Sequence, residues 1–333
     1  MCRAMGRDVL SFPRRLIVKR PGIRSVYSLL VLALALLTCE VARAADAPYT
    51  QKQDIIYAET DGIGLLMDVF TPTGKSNGLG IVDVASGAWF SDRGKINDHK
   101  RAQMFDIFCG RGYTVFAVRP GSRTKFTAKE MLANVKTGIR WVKLHADEYK
   151  IDKDRLGLTG ASAGGHLATL AAVTAEDGDE KDNNPLFRNS TRVKAVAVFF
   201  PPTDFTNWGN IKIEPGKAGQ VTKMIGGLLY TGGITTQSDE EVFDAVKAIS
   251  PAHNVTDKAP PFLIYHGDKD PLVPLQQSEI FCEACKKQGV AAELIVKPGG
   301  AHPWPTIHEE VLKIADWFDG QLPAKPETAS GGQ

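Results

Sequence analysis

Gly160-Ala161-Ser162-Ala163-Gly164 places a serine among small residues in a G-x-S-x-G pattern. An apolar β-type run at 155–159 precedes it, and an Ala/Leu helical pattern at 166–175 follows. A serine on a sharp strand-to-helix turn has its hydroxyl lifted into the open, and the helix N-terminus behind it favours developing negative charge. Such a turn strains the serine backbone, so bulky neighbours would clash. The chemistry open to this residue is acyl transfer. The pattern by itself competes with a glycine-rich turn that merely caps a helix, because Gly, Ala and Ser are common. What separates the two readings is a base for the serine and an acid to orient that base.

Seven histidines compete for the base. His99, His145 and His308 fall in helical patterns and are expected on helix surfaces. His166 lies in the helix after the serine, facing packing or a neighbouring loop. His253 stands in a Pro-flanked loop, where a capping role is expected, and His266 ends a strand before Gly267 as a structural residue. His302 alone sits in a Gly-rich loop after a late strand, Gly299-Gly300-Ala301-His302. For the acid, His266-Gly267-Asp268-Lys269-Asp270 follows an apolar run at 262–265. Asp268 and Asp270 are two residues apart, and spacing leaves the choice open. Acyl transfer also needs N–H donors for a tetrahedral oxyanion. The backbone of Ala163 supplies one. The loop Ala85-Ser86-Gly87-Ala88-Trp89, after an apolar run at 79–84, is small enough to bring its backbone to a ligand, although a plain β-to-α connection would look the same.

Strand and helix patterns alternate around these residues. Runs at 54–58 and 64–70 suggest an opening antiparallel pair. Strands are expected at 79–84, 113–118, 155–159, 193–200, 262–265 and 292–296. Helices are expected at 99–109, 127–149, 166–175, 275–288 and 307–318. Met131, Val135, Ile139 and Val142 fall on one face of the second helix. This order implies a mostly parallel sheet with helices on both faces. Ligands in such sheets sit beyond the carboxyl ends of the strands, where the serine, both aspartates and His302 fall. The irregular stretch 203–243 is the candidate cap over that site.

The chain has 333 residues, 43% hydrophobic and 23% charged, ordinary for a globular protein. Its net charge of +2 belongs to the first 44 residues, which hold eight Lys/Arg and two acids; the remainder is net −4. That balance excludes an extended nucleic-acid surface. A basic stretch, the apolar run Leu29 to Leu37, and Ala42-Arg43-Ala44 before Ala45 fit a cleaved secretory signal at 1–44. The run is short for a membrane span of about 20 residues. The expected location is secreted or periplasmic, with no stable membrane span after signal removal. The folded domain is expected at 45–320, and the Pro/Gly/Ser-rich 321–333 as a disordered tail. Cys282 and Cys285 have redox or zinc spacing but lie inside a helical pattern without a second ligand pair, so buried small hydrophobes are expected.

With these residues in hand, most of 60–320 resembles the α/β-hydrolase esterases. The similar group includes acetyl esterases, hormone-sensitive-lipase-like enzymes and feruloyl-esterase-like domains. The resemblance rests on Asp152-Lys153-Asp154-Arg155 leading into Gly160 to Ala168, on Pro260 to Pro274, and on Gly299-Gly300-Ala301-His302-Pro303-Trp304. It implies an α/β-hydrolase fold with a small cap insertion. Its H-G-x-x-D motif selects Asp270 as acid, and its G-x-x-H segment selects His302 as base. The catalytic set is then Ser162, Asp270 and His302. The family's H-G-G-G-W loop maps onto Ala85 to Trp89, which puts oxyanion donors on Ser86 and Gly87 beside Ala163. Here the family's bracing histidine is an alanine, and Arg119-Pro120-Gly121-Ser122 replaces a common Tyr-Arg-Leu run.

The expected activity is hydrolysis of carboxylic esters through an acyl-enzyme, with small-molecule or carbohydrate esters, including acetylated sugars, as substrates. No metal or organic cofactor is implied, and no nucleic-acid partner. Two readings compete. A prolyl-oligopeptidase-like peptidase shares the H-G-x-x-D pattern but usually carries a large N-terminal propeller. A catalytically silent hydrolase fold used for binding would explain the altered loop, but would not need to keep all three catalytic residues.

Overall fold

In β3 (Gly80–Val84), Ile81 packs into one apolar cluster while Val82 and Val84 pack into another. Successive strand residues point to opposite faces, so a strand buried on both faces reads as a continuous apolar run. The structure, a computed structural model, describes residues 47–209, 211–212 and 225–323. The chain divides into Met1–Ala47 and Pro48–Gln333, and every element below belongs to the second unit.

Eight strands form the central sheet: β1 (Tyr49–Thr60), β2 (Ile63–Pro72), β3, β4 (Thr114–Arg119), β5 (Leu156–Ala161), β6 (Ala195–Phe199), and, after a two-residue hairpin of β7 (Asn207–Trp208) and β8 (Ile211–Lys212), β9 (Phe262–Gly267) and β10 (Ala292–Lys297). Their spatial order is β1-β2-β4-β3-β5-β6-β9-β10. β2 runs antiparallel to both β1 and β4, and the remaining neighbours are parallel. One face carries α1 (Arg93–Arg101), α2 (Met104–Gly110) and, from the end of the chain, α7 (Ile307–Gln321), through Ile96, Phe105, Ile314 and Phe318. The other carries α3 (Ala128–Leu144), α4 (Ala163–Val173), α5 (Asp239–Ala248) and α6 (Gln276–Lys287). Met131, Val135, Ile139 and Val142 are all buried there, as their spacing requires.

The structure moves several boundaries. The opening strands are longer than expected, because β1 slips register after Lys52 and again after Ile56, and such bulges break the alternation that marks a strand. The helix expected at 99–109 is two helices, broken where Gln103 takes φ 56°. α3 ends at Leu144, with Thr127 and Glu130 forming a capping box at its start. Of the tail expected from Gln321, the first residues are ordered: α7 runs through Gln321, and Leu322 is buried. Residues 324–333 lie outside the described residues, as do the leader at 1–44 and, within 203–243, residues 210 and 213–224. The first residues of that stretch, Thr203 to Thr206, are buried, and its end falls inside α5.

His99 is a correction. Expected on a helix surface, it is buried, with Nδ1 2.6 Å from Oδ2 of the fully buried Asp83 in β3. Burial pushes its pKa down, but the charge and hydrogen bond of Asp83 outweigh this and raise it above 6.5. The stability this pair contributes is therefore full below about pH 6.5 and is lost as pH rises through the folded-state pKa. His99→Leu leaves the Asp83 carboxylate buried with neither oxygen bonded, since Oδ1 already has no partner among the described residues. The expected destabilisation is about 3–5 kcal/mol, read as a lower urea midpoint. A midpoint unchanged by the substitution would show that the pair does not hold β3 to α1.

Candidate active site

The turn between β5 and α4 is built by close approach. Ser162 sits at its apex with φ 55° and ψ −121°, a strained conformation for a non-glycine residue. Its own N–H donates to Phe199 O at 3.0 Å, tying the apex to β6. A Cβ on Gly164 would lie 2.2 Å from Val84 O, so only glycine lets α4 start against the end of β3. The Gly164 N–H donates to Ser86 O at 3.0 Å, linking the serine turn to the loop 85–89.

The base and acid loops meet in the same way. A Cβ on Gly267 would lie 2.2 Å from Gly300 O, and Lys269 N–H donates to Gly300 O at 2.9 Å. His302 stands with Nε2 2.8 Å from Ser162 Oγ and Nδ1 2.6 Å from Asp270 Oδ2. The Phe200 ring packs on the imidazole at 4.2 Å between centroids. Asp270 Oδ1 accepts from the N–H groups of Leu272 and Val273, at 2.8 and 2.9 Å. Burial alone would raise the Asp270 pKa; hydrogen bonds from His266, His302 and these two amides overcome that and hold it well below the usual carboxylate range. Asp268 does different work: it is exposed and accepts from Gly299 N–H at 2.6 Å, pinning the histidine loop to the acid loop. Of the two aspartates that spacing leaves open, Asp270 is the one hydrogen-bonded to His302.

His266, His253, His145 and His166 are engaged elsewhere. His266 is buried, with Nδ1 2.7 Å from Ser278 Oγ and Nε2 2.9 Å from Val273 O. His253 is not a simple cap: its Nε2 lies 3.1 Å from both Asp204 Oδ1 and Thr206 Oγ1. His145 is half-buried and stacks on Trp141. His166 is buried beside Trp89.

The oxyanion donors need correction. Ser86 N–H donates to Val84 O and Gly87 N–H to Phe90 O, both at 3.0 Å, so both protons are committed within the loop. Among the described residues, the N–H groups of Ala163, Ala88 and Trp89 have no hydrogen-bond acceptor. Gly87 and Phe90 exchange both backbone bonds around Ala88 and Trp89, which take φ 49° and 59°. That is a type I′ turn, and it leaves the N–H groups of its two central residues, Ala88 and Trp89, free where those of Ser86 and Gly87 are not. No residue-type signal could have shown this, because positive φ at Ala88 is not announced by a glycine.

Among the described residues the free cysteines are Cys109, Cys282 and Cys285. Burial pushes the Cys282 thiol up to about 11 and the Cys285 thiol up to about 12, so both are protonated and unreactive at neutral pH.

A mostly parallel sheet bearing a strained serine turn after its fifth strand, with aspartate and histidine loops after β9 and β10, defines an α/β-hydrolase. The chain belongs to the BD-FAE family, whose model matches residues 67–285. It is 30% identical over 226 residues to the esterase LipQ of Mycobacterium tuberculosis, covering 67% of this chain and 49% of that protein. The probable carboxylic ester hydrolase LipM of the same organism is 28% identical, covering 62% of this chain and 44% of the relative. The chain thus spans about half the length of these curated relatives. Among solved structures, a truncated carbohydrate esterase from gut microbiota superposes with a TM-score of 0.68 at 25% identity, covering 84% of this chain and 98% of that one.

Proposed function

We propose that the protein hydrolyses carboxylic esters, including acetyl esters of carbohydrates, through an acyl-enzyme on Ser162. The observation that carries this is the unbroken hydrogen-bonded line from Ser162 Oγ through His302 to Asp270. Support for the substrate class comes from the esterase relatives and the carbohydrate esterase structure.

Ser162 Oγ bonds to the ester carbonyl carbon while His302 Nε2 takes the hydroxyl proton. Asp270 holds Nδ1–H of His302, fixing the tautomer and stabilising the imidazolium. The Ala163 and Ala88 amides stabilise the oxyanion, each worth about 100–1000-fold in turnover. The C–O bond to the alcohol breaks and His302 returns its proton to the leaving oxygen. Water, deprotonated by the same His302, then attacks the acyl carbon and releases the acid and Ser162.

Turnover of p-nitrophenyl acetate and of acetylated xylo-oligosaccharides by residues 45–333 tests the substrate class. Reaction with a fluorophosphonate, followed by peptide mass mapping, tests the nucleophile, with the label expected on the peptide that contains Ser162. A label on another residue, or peptide turnover exceeding ester turnover, would overturn the reading. We also propose export through the leader at 1–44, so the N-terminus of the exported protein is expected at Ala45. An N-terminus upstream of the apolar run would instead indicate a retained anchor.

A further inference from the structure

We propose that His166 is a positioning residue for the oxyanion loop: through Trp89 it holds the strained turn that keeps the Ala88 N–H available to the substrate oxygen. The inference deepens the ester-hydrolase reading and rests on it.

In the loop Ala85 to Trp89 the residues before the tryptophan are Ala, Ser, Gly and Ala, and the Ser86 hydroxyl has no partner among the described residues. Something else must hold it, because two consecutive non-glycine residues at positive φ are an unfavourable turn. Three contacts converge on Trp89. Its carbonyl accepts from Arg123 N–H at 2.8 Å. Its ring packs on Phe205 at 5.9 Å between centroids. Its indole N–H donates to His166 Nδ1 at 3.0 Å.

His166 is suited to receive that bond. Its Nε2 lies 2.7 Å from Ile249 O, which can only accept, so Nε2 carries the proton and Nδ1 is the acceptor. Both ring nitrogens are thereby engaged, and the side chain is fully buried. Phe205 packs edge-on against the imidazole at 5.1 Å. Burial pushes the His166 pKa down to about 4, so protonation does not take the acceptor site at neutral pH.

The position of His166 in the chain gives the contact its consequence. It lies on the first turn of α4, four residues after Ser162, and its N–H donates to Ser162 O at 2.8 Å. One residue therefore contacts both the backbone of the serine and the turn carrying the oxyanion donor. With the Gly164 N–H to Ser86 O bond, it forms a two-point tie that sets the distance between nucleophile and donor. A donor displaced by this tie's loss is a donor lost from the transition state, not from substrate binding.

The experiment uses Trp89→Phe, His166→Leu, His166→Gln and the double variant Trp89→Phe/His166→Leu. Trp89→Phe removes the indole donor and keeps an aromatic ring, though a smaller one, against Phe205. His166→Gln presents an acceptor and a donor at its amide. Trp89→Phe and His166→Leu are each expected to lower kcat for p-nitrophenyl acetate by about 100-fold, with KM changed by less than about threefold. The double variant should be no slower than the worse single variant, because both break one link. His166→Gln should recover at least about tenfold of the loss. Additive losses, an unchanged kcat in Trp89→Phe, or a rise in KM alone would each overturn the proposal.

The link is also read without activity. In protein labelled with ¹⁵N-tryptophan, the Trp89 indole N–H resonance should shift in His166→Leu and return towards its original position in His166→Gln. A resonance unmoved in His166→Leu overturns the tie itself. Absent ester turnover in the wild type, with the resonance behaving as expected, overturns the ester-hydrolase reading and leaves the tie standing.

Discussion

Ser162→Ala is expected to lower kcat for p-nitrophenyl acetate by about 10⁶-fold, and His302→Ala by about as much. The serine hydroxyl has one base within reach, His302 Nε2 at 2.8 Å. No other described histidine near the site is free to replace it. His266 has both ring nitrogens hydrogen-bonded, His166 likewise, and His253 is paired with Asp204. Combining the two substitutions should cost little more than either alone, because nucleophile and base act as one unit. Residual catalysis of about 10³-fold over water is expected from the oxyanion donors and substrate binding. KM should stay nearly constant, since neither side chain is needed to bind the ester. Single-turnover kinetics, with urea midpoints to show that each variant is folded, measure this. A kcat for His302→Ala within about tenfold of wild type would mean that proton transfer is not the role of His302.

How much of this could be read from the sequence depends on what a residue type discloses. A buried strand such as β9 discloses itself through its apolar run Phe262 to Tyr265, and α3 through its 3.6-residue period. The Ser162 turn is legible because its geometry demands Gly164, where a side chain would strike Val84 O. Asp268 and Asp270 carry the same chemistry two residues apart, and only the meeting of the β9 and β10 loops separates them. The loop Ala85 to Trp89 is legible from its small residues, but which of its amides stay free is not. Backbone conformation at Ala88 and Trp89 depends on contacts made by His166 and Arg123, from elements far along the chain. His99 misled for a related reason. The helix it occupies is short and polar, so only the buried Asp83 opposite explains why a polar face turns inward.

Asp270→Asn is expected to lower kcat by about 10⁴-fold while preserving the fold. The asparagine Oδ1 can still accept from the N–H groups of Leu272 and Val273, so the loop keeps its shape. What changes is the atom facing His302. An amide NH₂ in place of Oδ2, 2.6 Å from Nδ1, donates where a carboxylate accepted. The imidazole must then present an unprotonated Nδ1 and carry its proton on Nε2, where it cannot take the Ser162 proton. Asp268→Asn provides the contrast. Its Oδ1 retains the Gly299 N–H bond and no charge is removed from His302, so kcat should fall by less than about tenfold. The stability effect has a definite sign. Asp270 has a folded-state pKa below the ordinary value of 3.8, so its charged form stabilises the native state fully above about pH 4. That contribution is lost as pH falls through the folded-state pKa. The gap in urea midpoint between wild type and Asp270→Asn should therefore be widest near neutral pH and close on acidification. A kcat loss equal in Asp268→Asn and Asp270→Asn, or a gap that widens in acid, would remove Asp270 from the role of orienting acid.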